Sequence, residues 1–215
     1  MTTQSSLIIL DIDNTLVPYQ PTKMLYFSLF LKKRNLKYIF IAQTMIFFLR
    51  YFWMISPIVN FQRKWIMTLF SRIDTREIEE ASEKIACKVV TDYKESLGKF
   101  VEELRSQNDK VFLLSHCPNV IAEKLNKKLN FDGAFSIPVK DYFAKNNKNN
   151  NKILNKASVI AKLRVEFPDA SITYMADDLI DFNCLKIADK GILVNASPFT
   201  KKICKVFLSR ALIWN

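Results

Sequence analysis

The sequence predicts an α/β chain: a parallel-sheet core with an all-helical insertion after its first strand. Three observations carry this. Short apolar runs at Leu7–Leu10, Val111–Leu114, Ser171–Ala176 and Gly191–Val194 alternate with stretches of helical periodicity. The first three runs end in polar residues, Asp11 and Asp13, then Ser115, then Asp177 and Asp181, and strand ends in such a sheet converge on one crevice. Between the first and second runs lies a basic, aromatic-rich block whose texture matches nothing else in the chain.

Length and composition suit that plan. The chain has 215 residues, 49% hydrophobic and 13% aromatic, enough for one domain and a substantial insertion. Taken in order, Leu7–Leu10 is a buried strand, and Asp11–Leu16 is a turn carrying two carboxylates. Burying an unpaired carboxylate is costly, so these two need a partner; the plain alternative is an Asx-type turn. Pro18 and Pro21 mark an exit loop, and Thr22 reads as the cap of a helix starting near Lys23. Asp74 or Thr75 with Glu77–Glu80 opens a helix that carries Ile78, Ala81, Ile85 and Val89 at helical spacing. Glu95–Gln107 is a further helix with Phe100, Val101 and Leu104 inward. The second strand, Val111–Leu114, leads into Ser115-His116-Cys117-Pro118; Asn119–Leu129 is helical, and Ala134–Ile137 is a short strand. Lys145–Lys152 is an Asn/Lys-rich solvated loop. Helix Ile153–Glu166 stops at Pro168, and strand Ser171–Ala176 ends in Asp177-Asp178-Leu179-Ile180-Asp181. A short helix, the strand Gly191–Val194 and an amphipathic basic tail helix over Pro198–Trp214 follow.

The net charge of +11 is unevenly placed. From Asn14 to Ile73 there is no Asp or Glu, while Lys23, Lys32, Lys33, Arg34, Lys37, Arg50, Arg63, Lys64 and Arg72 all fall there. A field of this kind attracts polyanions. Because these cations sit among Phe, Leu and Ile rather than Gly and Ser, an anionic membrane surface suits them better than nucleic acid. The apolar stretches Tyr38–Leu49 and Tyr51–Val59 are each too short to span a bilayer, and joining them would place Arg50 near mid-membrane. Short helices, one of them interfacial, are expected instead. The competing reading is a cap whose apolar side packs only on itself and the core. Cys87, Cys117, Cys184 and Cys204 show no metal spacing and read as single buried thiols of a reducing compartment. The amino terminus shows no signal peptide, so a cytoplasmic, peripherally membrane-associated protein is expected.

The strand-end residues suggest a chemistry. Carboxylates from two strands can hold Mg²⁺, which takes oxygen ligands and keeps several waters. A hydroxyl, Ser115, and an ammonium, Lys156, suit the oxygens of a phosphoryl group. One aspartate can then act as nucleophile, forming an aspartyl-phosphate, while a second handles protons. Lys152 is a rival for the ammonium, but Lys156 places Ile160 and Leu163 on the neighbouring buried face.

This constellation resembles the haloacid dehalogenase-like phosphatases over nearly the whole chain. Asp11-Ile12-Asp13-Asn14-Thr15 resembles the first motif of that family, Ser115 the second, Lys156 the third, and Asp177 with Asp181 the fourth. The resemblance implies a Rossmann-like core, residues 1–19 and 96–215, with residues 20–95 as a helical cap over the site. It implies Asp11 as nucleophile and Asp13 as general acid and base, with Ser115 and Lys156 on the substrate phosphate beside Asn14 and Thr15. Mg²⁺ would be held by Asp11, the backbone carbonyl of Asp13, and Asp177, with Asp181 and Asp178 in support. An acid at the position of Asp13 marks phosphatases and phosphotransferases rather than dehalogenases. The cap placement and the Lys156–Asp177 spacing most resemble the phosphoserine-phosphatase-like subfamily. The apolar, basic cap is similar to that of the phosphatidylglycerophosphatase C branch, and no acid follows Asp13 to hold a substrate ammonium. There are departures: Ala176 stands where Gly is usual, Asp178 where a small polar residue is common, and His116 and Cys117 replace small residues. His116, the lone histidine, reads as packed or solvent-facing, with a role in substrate selection as the alternative.

The expected activity is Mg²⁺-dependent hydrolysis of a phosphomonoester through an aspartyl-phosphate, on a lipid phosphate at an anionic membrane surface. The alternatives are a soluble phosphomonoester or a catalytically silent binding module. Nucleic acid is not expected as a partner.

Overall fold

The computed structural model describes residues 6–32, 73–105, 109–138, 154–208 and 212–214. The stretches Tyr38–Leu49 and Tyr51–Val59 and the Asn/Lys run Lys145–Lys152, with the rival Lys152, lie outside the described residues.

Among the described residues six strands form one parallel sheet. They are β1 (Ser6–Leu10), β2 (Lys110–Pro118), β3 (Gly133–Ile137), β4 (Ser171–Ala176), β5 (Lys190–Val194) and β6 (Leu212–Trp214). Their order is β3-β2-β1-β4-β5-β6, so β1 is central and reverses the direction of winding between β2 and β4. The helices are α1 (Pro21–Lys32), α2 (Thr75–Glu95), α3 (Leu97–Leu104), α4 (Asn119–Leu129), α5 (Lys156–Glu166), α6 (Phe182–Ile187) and α7 (Pro198–Phe207). A strand buried on both faces reads as a continuous apolar run, and Leu7–Leu10 is fully buried because helices cover both sides. Alternate residues serve the two layers. Ile8 and Leu10 join the cluster of α1, α2 and α4, while Leu7 and Ile9 join that of α5 and α6.

The helix α2, expected as part of the insertion, lays Ile78, Ala81, Ile85, Ala86 and Val89 into the same cluster as β1. Asp74 caps it, accepting the Arg76 N–H at 2.8 Å. It is tied to α4 by Lys124 with Glu79 at 2.7 Å and by Lys128 with Glu83 at 2.6 Å. The expected cap, residues 20–95, is thus described only at its two ends, α1 and α2.

Two local expectations are corrected. Thr22 is not the residue before the helix. α1 begins at Pro21, whose fixed φ suits the first helical position, and Thr22 lies inside the first turn. The tail is not one helix to Trp214. α7 stops at Phe207, the backbone leaves the helical region at Leu208, and Leu212–Trp214 pairs in parallel with Ile192–Val194. The open edge of β5 offers backbone partners that a longer tail helix would leave unmet. Of the four cysteines, all free, three are buried as expected; Cys87, expected to be buried, is exposed on α2.

Candidate active site

The site is built at the carboxyl ends of β1, β2 and β4. Extended backbone ends after Leu10, and the Asp11 N–H still reaches Met175 O at 3.0 Å, so β4 fixes the first carboxylate in place. The chain then doubles back. Leu16 N–H donates to Ile12 O at 3.1 Å, and Asn14 N–H donates to Tyr19 O at 2.8 Å. Asn14 takes a left-handed φ of 58°, a conformation that asparagine tolerates better than most residues. Asn195, just past β5, donates from its side chain to Asn14 O at 3.0 Å. Tyr19 anchors the loop's far side, its hydroxyl donating to Asp92 on α2 at 2.6 Å.

Within this frame the structure brings together Asp11, Lys156 and Asp181. Lys156 is the first residue of α5, and it is buried at 6% exposure, where an uncompensated ammonium would be very costly. Its Nζ lies 3.0 Å from Asp11 Oδ1 and 2.7 Å from Asp181 Oδ2. A third contact, at 3.4 Å, is to the Tyr174 hydroxyl. Burial works against the Lys156 charge, but the two carboxylates override it and hold its pKa above the usual lysine value. Asp181 is raised, by burial first and then by the neighbouring Asp11 charge, with Lys156 opposing.

Asp13 sits two residues on with its own partner. Thr22 donates its N–H to Oδ1 at 3.0 Å and its hydroxyl to Oδ2 at 2.6 Å. Burial still pushes the Asp13 carboxyl up to about 6, with the Asp11 charge adding and the Thr22 bonds opposing. A carboxyl poised there can both give and take a proton near neutral pH.

Ser115 is reached by an irregularity. Along β2 and β3, Leu114 pairs with Phe135 but Pro118 pairs with Ile137, so β2 carries two extra residues across Ser115–Cys117. Such a bulge re-aims side chains beside a site. Ser115 is buried and its Oγ accepts the Cys117 N–H at 3.3 Å. Burial raises the Cys117 thiol well above its ordinary value, with the Asp13 and Asp11 charges adding, so it stays protonated and inert. His116 is half-buried, and its Nε2–H donates to Leu154 O at 2.9 Å, bracing the segment that leads to Lys156. Thr15 is buried with its hydroxyl unmatched among the described residues.

After β4, Asp177 is half-buried and its carboxyl is pushed up to about 7, by burial first and then by the Asp11 and Asp178 charges; a hydrogen bond with Asn14 opposes. Asp178 spends its carboxylate on the Leu179 N–H, opening a short 3-10 turn that delivers Asp181. Sequence reasoning missed Thr22, Tyr174 and Asn195 as parts of this site. Tyr174 carried a signal: a tyrosine inside an apolar strand needs a partner for its hydroxyl. Thr22 and Asn195 carried none, because their contacts depend on how the loops return.

The donor set fits a hard divalent cation. Asp11 Oδ1 is buried and, although ion-paired with Lys156, has no further partner among the described residues. Asp177, raised by burial first, also faces the Asp11 and Asp178 charges, which a cation would offset. No three His, Cys, Asp or Glu side chains form a ready cage among the described residues.

Three comparisons bear on this arrangement. No curated protein matches the chain. Among solved structures, a protein of unknown function from Bordetella pertussis Tohama I is similar with TM-score 0.70 and 11% identity, covering 98% of this chain and 99% of that one. A phosphoserine phosphohydrolase-like protein from Francisella tularensis subsp. tularensis SCHU S4 gives TM-score 0.60 and 17% identity over 97% of this chain and 94% of that one. A phosphoserine phosphatase solved as a phospho-aspartyl intermediate analogue gives 0.58 and 16%, covering 98% and 93%. At these identities the likeness establishes the shared fold. The haloacid dehalogenase-like hydrolase family model matches residues 8–186, a span that includes Asp11, Asp13, Ser115, Lys156, Asp177 and Asp181. The chain belongs to the haloacid dehalogenase-like hydrolases.

Proposed function

We propose that the chain is a Mg²⁺-dependent phosphomonoester hydrolase working through an aspartyl-phosphate on Asp11, with a lipid phosphate at a membrane surface as substrate. The observation that carries the phosphatase reading is the buried Asp11 carboxylate, held at 3.0 Å from Lys156 with no other partner for its Oδ1 among the described residues. Asp11 attacks phosphorus, and Asp13 gives its proton to the oxygen that leaves. Asp13 then takes a proton from the water that releases phosphate. Ser115 and Lys156 bind phosphoryl oxygens, with Asn14 and Thr15 beside them, and the Lys156 charge grows more valuable as negative charge develops there. Asp181 holds Lys156 in place. Asp11, the carbonyl of Asp13, and Asp177 would hold Mg²⁺, which supplies charge neutralisation between carboxylate and phosphate when bound. Asp178 stands behind Asp177 as a further negative charge.

Support for the lipid arm comes from the basic, aromatic sequence between α1 and α2, and from α7. On α7, Phe199, Val206 and Phe207 are 68%, 70% and 69% exposed. With the half-buried Ile203 they follow a spacing of four and seven residues, forming a stripe on one flank, while Lys202 and Lys205 occupy the other. Apolar side chains beside lysines suit an anionic interface. No helix among the described residues is long and apolar enough to cross a membrane. The phosphoserine phosphatases among the similar folds favour a second reading, a soluble phosphomonoester.

The deciding experiment is phosphate release with Mg²⁺ from a lipid phosphate in mixed micelles and from a panel of soluble esters, with Asp11→Asn as the blank. Release from the lipid alone, lost in the variant, supports both arms. Release from soluble esters alone keeps the site and removes the lipid. No release from any ester, with no Mg²⁺ binding, points to a silent binding module.

A further inference from the structure

We propose that Thr22 is the positioning residue for Asp13, holding the proton-handling carboxyl by both of its oxygens. The inference rests on the reading of Asp13 as the acid and base of the reaction. Its geometric basis is the pair of bonds from one residue, N–H to Oδ1 at 3.0 Å and hydroxyl to Oδ2 at 2.6 Å. A carboxylate on a single Cβ turns about two torsions. One hydrogen bond leaves it a pivot, whereas two from the same residue set both its plane and its direction.

The rival account is that Asp13 merely caps α1. That helix does need a cap. Gln20, whose carbonyl accepts the first helical bond from Met24 at 3.1 Å, is not a residue that caps well, and Pro21 has no N–H to offer. The Thr22 N–H is therefore the first that requires an acceptor, and Asp13 Oδ1 provides it. Capping, however, uses the N–H alone. The hydroxyl bond to Oδ2 adds nothing to the helix terminus, and a valine at position 22 would keep the cap intact. What the second bond adds is orientation of the carboxyl. The surrounding frame keeps the two residues in register: Tyr19 O holds the Asn14 N–H at 2.8 Å, and Tyr19 is pinned to α2 through Asp92 at 2.6 Å.

In the first half of the reaction an Asp11 oxygen bonds to phosphorus, the ester P–O bond breaks, and the Asp13 proton moves to the departing oxygen. An alkyl oxygen is a poor anion and needs that proton; a nitrophenolate leaves without it. Misplacing Asp13 therefore harms the two substrates unequally, which a general loss of folding would not do. The test is kcat/KM for an alkyl phosphate and for p-nitrophenyl phosphate, with Thr22→Val, Thr22→Ser and wild type. This ratio covers only steps up to transfer onto Asp11, so slow release of phosphate does not enter it. Thr22→Val is expected to lower the alkyl value by roughly ten- to a hundredfold and the aryl value by less than about threefold, with Thr22→Ser restoring the alkyl rate.

An equal fall with both esters, or an unchanged or raised alkyl rate, overturns the proposal. If Thr22→Val folds poorly, the same comparison is made in an Asp13→Asn background. There the added Thr22→Ser or Thr22→Val change should cost nothing further on the alkyl ester, and an additive loss overturns the proposal. Failure of the wild type to hydrolyse either ester, or a lipid phosphate in mixed micelles used in place of the alkyl ester, instead sinks the phosphatase reading, and is seen before any Thr22 variant is made.

Discussion

Lys156 Nζ lies 3.0 Å from Asp11 Oδ1, so the head of α5 delivers a buried ammonium to the carboxylate at the end of β1. The same ammonium serves Asp181 at 2.7 Å. One cation thus holds two acids that would otherwise repel each other, and several consequences can be measured.

Replacing Lys156 by methionine keeps most of the aliphatic stem and removes the charge. Asp11 and Asp181 are then buried with no counter-ion, and breaking a buried pair in this way costs about 3–5 kcal/mol. Urea unfolding of Lys156→Met without metal should reveal that loss, and adding Asp181→Asn should recover part of it. Full stability in the single variant would mean the ammonium matters little to the fold. Phosphatase activity is expected to vanish in either case.

The metal-free protein should become more stable as pH falls from about 7.5 toward about 5. The sign follows from Asp13 at about 6 and Asp177 at about 7, both raised above the ordinary value of 3.8 by burial first. Between 3.8 and these values the folded state binds more protons than the unfolded chain, so unfolding free energy drops as pH rises through that window. Thermal melting at several pH values, with and without Mg²⁺, checks this. A cation that keeps the acids ionised should flatten the slope, and a melting temperature that climbs with pH in the metal-free protein would contradict the assignment.

Gly98→Ala should destabilise despite alanine's better helix propensity. A Cβ there would lie 2.9 Å from Tyr93 O, a backbone atom at the α2–α3 junction that cannot swing aside. Overpacking of this kind costs about 1–3 kcal/mol, against a propensity gain of about 1 kcal/mol. The denaturation midpoint decides the sign; a rise would show that the junction can yield.

Vesicles containing anionic lipid should sediment the protein at low salt, and Phe199→Ser with Phe207→Ser should lower the bound fraction several-fold. Arg50→Glu with Trp53→Ser, in the basic stretch, should do the same. Equal sedimentation of wild type and variants would point to α7 meeting another partner, such as a second copy of the chain, which light scattering would register.

Much of this architecture was legible in the residues. Leu7–Leu10, Val111–Leu114 and Ser171–Ala176 are apolar without alternation because parallel strands are covered on both faces, and that pattern survives any detail of packing. Lys156 was distinguishable by the buried spacing of Ile160 and Leu163 behind it. The tail was not legible. Leu212, Ile213 and Trp214 extend a helical pattern, and only the open edge of β5 draws them into strand β6.

By itself the sequence determined the α/β class and marked Asp11, Asp13, Ser115, Lys156, Asp177 and Asp181 as candidates, because periodicity and strand-end chemistry are local properties of the chain. Tertiary structure alone decided that Thr22 grips Asp13, that Tyr174 lies under Lys156, that Asn195 reaches Asn14, and that a bulge turns the segment holding Ser115. Those contacts join residues through returning loops and neighbouring strands, and no spacing in a linear pattern encodes where such a loop comes to rest.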